Sequence, residues 1–244
     1  MISLVGAGGK TSLMFRLAHE LSASGETVLT TTTTKFLRPT TEQSPNLVIS
    51  NSPEEILQKA QSIFQHSLHV SAASKVLSPL DKLVGFPPET IAVLLRSNIF
   101  HWIIVEADGA AKRPLKAPAP HEPVIPQCSH QVIGVLGLSA LGRPLDEHTV
   151  FRSELVSNLS GIEKGMDIVE ETLCAVLVHP RGIFQGAPIR AKKIAFLNQA
   201  DIQSKRHAAR SIVQMLRRQR DIGISRVVIG STRIDPVVLE YQDL

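Results

Sequence analysis

Four groups of residues in this chain have types and spacings suited to chemistry on a phosphate. The first is Gly6-Ala-Gly-Gly9 followed by Lys10, Thr11 and Ser12. Glycines let backbone N–H groups close around phosphate oxygens, and a helix N-terminus behind them favours negative charge. A lysine at the end of such a turn reaches the outer phosphates, and a Thr or Ser hydroxyl coordinates Mg²⁺. Gly6, Gly8 and Gly9 are therefore assigned to phosphate, Lys10 to phosphate binding and catalysis, and Thr11 to metal and nucleotide, with Ser12 as the alternative hydroxyl. The turn departs from the strict motif, which has a glycine five residues before Gly9, where this chain has Leu4.

The second group is Glu106-Ala-Asp108-Gly109, directly after the apolar run Trp102-Ile-Ile-Val105. A carboxylate at the end of a strand is where a phosphate-loop protein positions Mg²⁺, and two such groups also suit activation of a nucleophile. Glu106 and Asp108 are both candidate catalytic and metal residues, and the spacing leaves open which touches the metal. The third group is the run Thr30 to Thr34, which is expected to pass beyond its strand and bring Thr33 or Thr34 to the γ-phosphate or Mg²⁺. The fourth, Asn198-Gln-Ala-Asp201, is similar to the Asn-Lys-x-Asp element that reads guanine, with Gln199 in the lysine position. Asn198 and Asp201 are assigned to the base, with GTP and ATP both open, and Ser231 to the segment that closes over it. His121-Glu122 in a proline-rich loop has two readings, a metal or substrate contact or a structural pair.

The elements that must hold these groups alternate. Strands at 2–5, 27–30, 47–49, 69–76, 101–105, 132–138, 193–197 and 226–230 are separated by helices at 10–24, 52–65, 87–97, 150–160, 168–178 and 203–221. Ser52-Pro-Glu-Glu55 has the pattern of a capped helix start, and Asp167 is the expected N-cap of the helix at 168. The segment 112–126 contains Pro114, Pro118, Pro120, Pro123 and Pro126, so it is an ordered excursion or a lid rather than helix or central strand. This pattern predicts an α/β fold. A mainly parallel sheet with helices on both faces would form a three-layer sandwich like that of phosphate-loop NTPases, in a single domain spanning 1–244. The loop at 110–126 and a helical insertion at about 145–180 elaborate it. Ligands in such sheets bind beyond the carboxyl ends of the strands, where each polar group falls.

An apolar content of 43% and a charged content of 20% describe an ordinary globular chain. The net charge of +4 is concentrated in Arg190–Lys193 and Lys205–Arg220, a pattern expected of a solvated helix face. With 4% aromatic residues, the chain lacks the stacking platforms of an RNA module, and no nucleic-acid partner is expected. The absence of a long apolar run or leader-like start predicts a cytoplasmic protein without a membrane partner. Cys128 and Cys174 lie far apart without metal-ligand spacing, so neither a disulfide nor zinc is expected.

Taken in order, the segments Val5–Thr11, Thr30–Thr34, Val105–Gly109, Lys116–Pro118 with Glu122–Pro126, Gly134–Gly137, Phe196–Asp201 and Gly230-Ser231 resemble the YqeC-type accessory proteins linked to selenium-dependent molybdenum hydroxylases. The resemblance implies a phosphate-loop protein using Mg²⁺ and GTP or ATP in maturation or insertion of a selenium-containing molybdenum cofactor. It also implies a molybdenum hydroxylase or cofactor-maturation protein as partner. Three functional classes remain: an NTPase, a kinase, ligase or nucleotidyltransferase acting on a small anionic precursor, and a nucleotide-gated module without turnover.

Overall fold

The computed structural model describes residues 1–78, 81–219 and 222–244; Arg220, and position 221 at the expected end of the basic helix, lie outside the described residues. In chain order the elements are β1 (Ile2–Gly6), α1 (Lys10–Ala23), β2 (Val28–Thr32), β3 (Lys35–Leu37), β4 (Leu47–Ile49), α2 (Pro53–Ile63), β5 (His69–Ala73), β6 (Lys75–Leu77), β7 (Lys82–Val84), α3 (Pro88–Arg96), β8 (Trp102–Glu106) and β9 (Leu115–Lys116). They continue with β10 (Gln131–Gly137), β11 (Val150–Phe151), α4 (Ser153–Ser160), α5 (Glu170–Val178), β12 (Lys192–Asn198), α6 (Gln203–Arg217), β13 (Arg226–Gly230) and β14 (Val238–Asp243). Nine strands form a mainly parallel sheet in the order β14-β13-β12-β10-β1-β8-β2-β5-β4. This is the α/β class expected of buried apolar strands alternating with helices, and it is consistent with a phosphate-loop NTPase-like sandwich. Among the described residues no helix is long and apolar enough to cross a membrane.

The chain divides into two compact units. The first comprises 1–4, 11–109 and 124–130; the second comprises 5–10, 110–123 and 131–244. Strand β1 contributes to both.

In the first unit, Ile2, Ser3 and Leu4 pair in parallel with Ile104, Val105 and Glu106 of β8. All five residues of β2 pair with β8, and β5 continues the ladder. Leu29, Val70, Ile103 and Val105 from the strands pack with Ile56, Ala60, Ile91 and Leu94 from α2 and α3. Helix α2 starts as expected: Ser52 is the N-cap, its side chain accepts from Glu55 N–H, and Pro53 occupies the first turn. The threonine run departs from expectation, because β2 continues through Thr32. Thr30, Thr31 and Thr32 are all fully buried. Their β-branched side chains suit this pleated, buried surface, and each hydroxyl finds a partner within it. Beyond them, β3, β7 and β6 form a small antiparallel sheet. Strands of three residues carry too little periodicity to be read from sequence.

In the second unit, β10 and β12 pair along their whole length, Gln131 to Gly137 against Lys192 to Asn198. Strand β13 follows in parallel and β14 closes the edge antiparallel to it. The alternation Glu240-Tyr-Gln-Asp243 is mostly polar, which hid β14 from an apolar search. The expected helix at 150–160 begins only at Ser153, because Val150 and Phe151 are drawn into a parallel ladder with Leu115 and Lys116. Asp167 is not the cap of α5; Val169 holds that place. A bridge between Pro144 and Asp167, and the Ile168 N–H donating to Arg143 O, keep 167–168 extended.

Candidate phosphate-binding site

The glycine turn belongs to the second unit. Gly6, Gly8 and Gly9 adopt φ values of +90°, +85° and +126°, a region that side chains rarely enter. Space is as restrictive as backbone angle. A Cβ on Gly6 would collide with the Val135 carbonyl, one on Gly8 with the backbone of Gly137, and one on Gly9 with the amide of Asn198. The turn is fastened by Ala7 N–H donating to Val135 O at 2.8 Å and Gly8 N–H to Arg113 O at 3.1 Å. Lys10 is the first residue of α1, a helix whose opening N–H groups have no intrahelical partner. The Lys10 ammonium folds back and donates to Gly6 O at 2.6 Å.

The end of β12 braces this turn from the side. Asn198 is buried; its Nδ2 donates to Gly8 O at 2.7 Å, and its Oδ1 accepts from Thr232 N–H at 3.0 Å. Gln199, at φ +69°, accepts from Ser139 N–H at 3.2 Å and reaches Gly8 O at 3.5 Å. Ser231 is buried and its hydroxyl donates to Asp201 Oδ1 at 3.0 Å. The structure thus gathers Gly8, Asn198 and Gln199 into one hydrogen-bonded cluster, with Gly9 close against the Asn198 amide, and joins Asp201 to Ser231. Gln199, noted in the sequence for the charge it lacks, is a brace of the glycine turn.

In the first unit, Thr11 Oγ1 donates to Glu106 Oε2 at 2.8 Å. Hydroxyl and carboxylate side by side are the oxygen donors that a Mg²⁺ site draws on. Glu106 and Asp108 are both buried, whereas Ser12 is exposed. Ala107 N–H donates to Leu4 O at 2.9 Å. Leu4, at the position of the strict motif's first glycine, is therefore a paired strand residue where no positive φ is needed. The threonine hydroxyls tie this end of the sheet together. Thr32 donates to Glu106 O at 2.6 Å, Thr33 to Val124 O at 2.8 Å, and Thr34 lies 3.3 Å from the Thr32 hydroxyl.

The proline-rich loop is built down onto the second unit rather than left loose. Lys116 is fully buried, and its ammonium lies 2.9 Å from Glu122 Oε2. Arg152 meets the same carboxylate through both nitrogens, at 2.5 and 3.0 Å, and stacks 4.6 Å from the Phe151 ring. Burial alone would raise the Glu122 carboxyl, but the Arg152 and Lys116 hydrogen bonds outweigh it and bring it down to about 2. Gln185 Nε2 donates to the carbonyls of Ala119, Pro120 and Glu122. Glu122 is accordingly a structural counter-ion, while His121 is exposed. Arg152 and Gln185 carried no sequence signal, because both act from distant elements.

A glycine turn at positive φ on a parallel strand, with a lysine heading the next helix, defines an α/β protein with a phosphate-loop-like turn. The chain belongs to the YqeC family: the family model described as "YqeC protein" matches residues 2–154. It is 34% identical over 244 residues to "Uncharacterized protein YqeC" of Escherichia coli (strain K12), covering 98% of this chain and 90% of that protein. No solved structure matches.

Proposed function

We propose that this protein binds a Mg²⁺-nucleoside triphosphate, GTP or ATP, at the Gly6–Lys10 turn and hydrolyses it. The observation that carries the reading is the turn itself: three glycines at positive φ, each pressed against neighbouring backbone or amide, followed by a lysine that heads a helix. With the Ala7 and Gly8 N–H groups taken by carbonyls, the first turn of α1 supplies the N–H groups, and Lys10 the cation, where phosphate oxygens would lie. Lys10 exchanges its Gly6 carbonyl for phosphate oxygens, and Thr11, the next residue in the chain, offers its hydroxyl to the metal. Glu106, bonded to Thr11, would help hold the metal, and Asp108 would supply a second carboxylate from the same strand end. Mg²⁺, when bound, neutralises charge on the phosphates. The Asn198 cluster holds the turn in its conformation through Gly8 O.

The resemblance to accessory proteins of selenium-dependent molybdenum hydroxylases supports assigning this chemistry to maturation of their cofactor, in contact with the hydroxylase or a cofactor-maturation protein. The catalytic reading is tested by phosphate release from GTP and ATP with Mg²⁺. Turnover that falls at least a hundredfold in Lys10→Ala and in Glu106→Gln supports it. Binding without turnover, with any nucleotide, leaves a nucleotide-gated module and defeats the hydrolytic assignment.

A further inference from the structure

Beside the glycine turn lies a corner that the nucleotide reading does not use. The segment Ala110–Arg113 is closed by Arg113 N–H donating to Ala110 O at 2.9 Å, and its two central residues, Ala111 and Lys112, have φ values of +47° and +60°. Tight turns with both central residues at positive φ are built from Asn and Gly, because a Cβ is strained there. Here an alanine and a lysine occupy them. The next two carbonyls grip the phosphate turn and its neighbour: Arg113 O accepts from Gly8 N–H, and Pro114 O from Gly137 N–H at 2.9 Å.

Rigidity is added on the far side, where the buried Lys116–Glu122–Arg152 cluster and the three bonds from Gln185 hold the loop down. The product of this construction is two adjacent cations, Lys112 and Arg113, whose side chains make no ion pair or hydrogen bond with the described residues. Lys112 is exposed and Arg113 half-buried. A solvated surface lysine needs neither a strained turn nor a pinned loop. Strain held by surrounding structure is characteristic of functional positions.

We propose that Lys112 and Arg113 bind the anionic group, phosphate or carboxylate, of a second substrate beside the glycine turn. This rests on the nucleotide reading above for its purpose but not for its geometry. An arginine fork and a lysine together suit either oxyanion.

The test uses the full chain, phenyl phosphate and succinate as probes, and titration calorimetry backed by ligand-observed NMR. With the protein saturated in a non-hydrolysable Mg²⁺-nucleotide, at least one probe should bind with a 1:1 stoichiometry. The doubly substituted Lys112→Gln/Arg113→Gln protein should bind it at least tenfold more weakly, with nucleotide affinity unchanged within twofold. Phenyl phosphate binding alone identifies a phosphorylated substrate, and succinate binding alone a carboxylate. No binding of either probe to the wild-type chain, or binding that the double substitution leaves intact, overturns the inference. A tenfold loss of nucleotide affinity in the double variant also overturns it, since the two cations would then serve the nucleotide's own phosphates. If wild-type protein binds no nucleotide, the earlier reading fails by itself, and the same titrations on nucleotide-free protein decide this one.

Discussion

Gly9 offers the sharpest physical test of the turn, because what blocks it is a side chain that can be removed. A Cβ at Gly9 meets Asn198 Nδ2, the atom that donates to Gly8 O. Asn198→Ala removes that bond and the Thr232 N–H bond, about 1 kcal/mol each, and leaves buried polar groups unsatisfied, for a loss of about 2–3 kcal/mol. Gly9→Ala forces an alanine to φ +126°, which costs about 1–3 kcal/mol in any surroundings. Displacing the Asn198 amide adds about 2 kcal/mol more, the value of the bonds it breaks. In the Asn198→Ala background that second part is already lost. The double variant should therefore be about 2 kcal/mol more stable than the sum of the single losses implies. Urea unfolding of the four proteins at equal m-values measures this coupling. Gly8→Ala is the contrast: its obstruction is the backbone of Gly137, which no side-chain deletion removes. Additivity of Gly9→Ala and Asn198→Ala within about 0.5 kcal/mol would show that Asn198 does not brace the turn.

Three further outcomes follow from the same structure. His69 is buried, with Nε2 3.0 Å from the Thr30 hydroxyl and Nδ1 without a partner among the described residues, and burial, aided by His19, lowers its pKa from 6.5 to about 4. The unfolded chain therefore binds the extra proton between those values, and stability falls as pH drops from 6.5 towards 4, by roughly 3 kcal/mol. Thermal melts of wild type and His69→Gln across this range should show a shallower acid slope in the variant; equal slopes contradict the burial argument. Glu122→Gln removes a carboxylate from buried Lys116 and should lower stability by about 3 kcal/mol in urea, against less than about 1 kcal/mol for Glu20→Gln in the exposed Arg16 pair. The Glu122 contribution is complete above pH 4.5 and is lost as pH falls through about 2. Ala111→Gly relieves a positive φ and should raise stability by about 0.5–1 kcal/mol, read as a rise in Tm, whereas the same change in a relaxed turn lowers it.

Much of the frame was legible because its signals are local. The apolar strands around 2–6, 102–106 and 192–198, and the Ser52-Pro53 helix start, are written in consecutive residues. The glycine turn was equally legible, and the mismatch at Leu4 dissolves once that residue is seen as a strand position bonded to Ala107. What escaped depends on partners far away in the chain. The three-residue strands β3, β6 and β7 exist only because they pair with each other, and β14 only because β13 offers an edge. The last buried threonines of β2 take their structure from β8, which no reading of the run itself supplies. In the same way Arg152, Gln185 and Gln199 act across 30, 63 and 191 residues of chain, the first two on Glu122 and the last on Gly8. Their residue types alone carry no hint of those roles.

Calorimetric titration of nucleotide into the full chain is the direct test of the phosphate-binding role of the Gly6–Lys10 turn. Wild-type protein should bind GTP or ATP one to one and in a Mg²⁺-dependent manner. Lys10→Ala should weaken that binding at least tenfold while melting within a few degrees of wild type. Absence of binding by both nucleotides with Mg²⁺ present, or equal affinity in the Lys10→Ala protein, would contradict it.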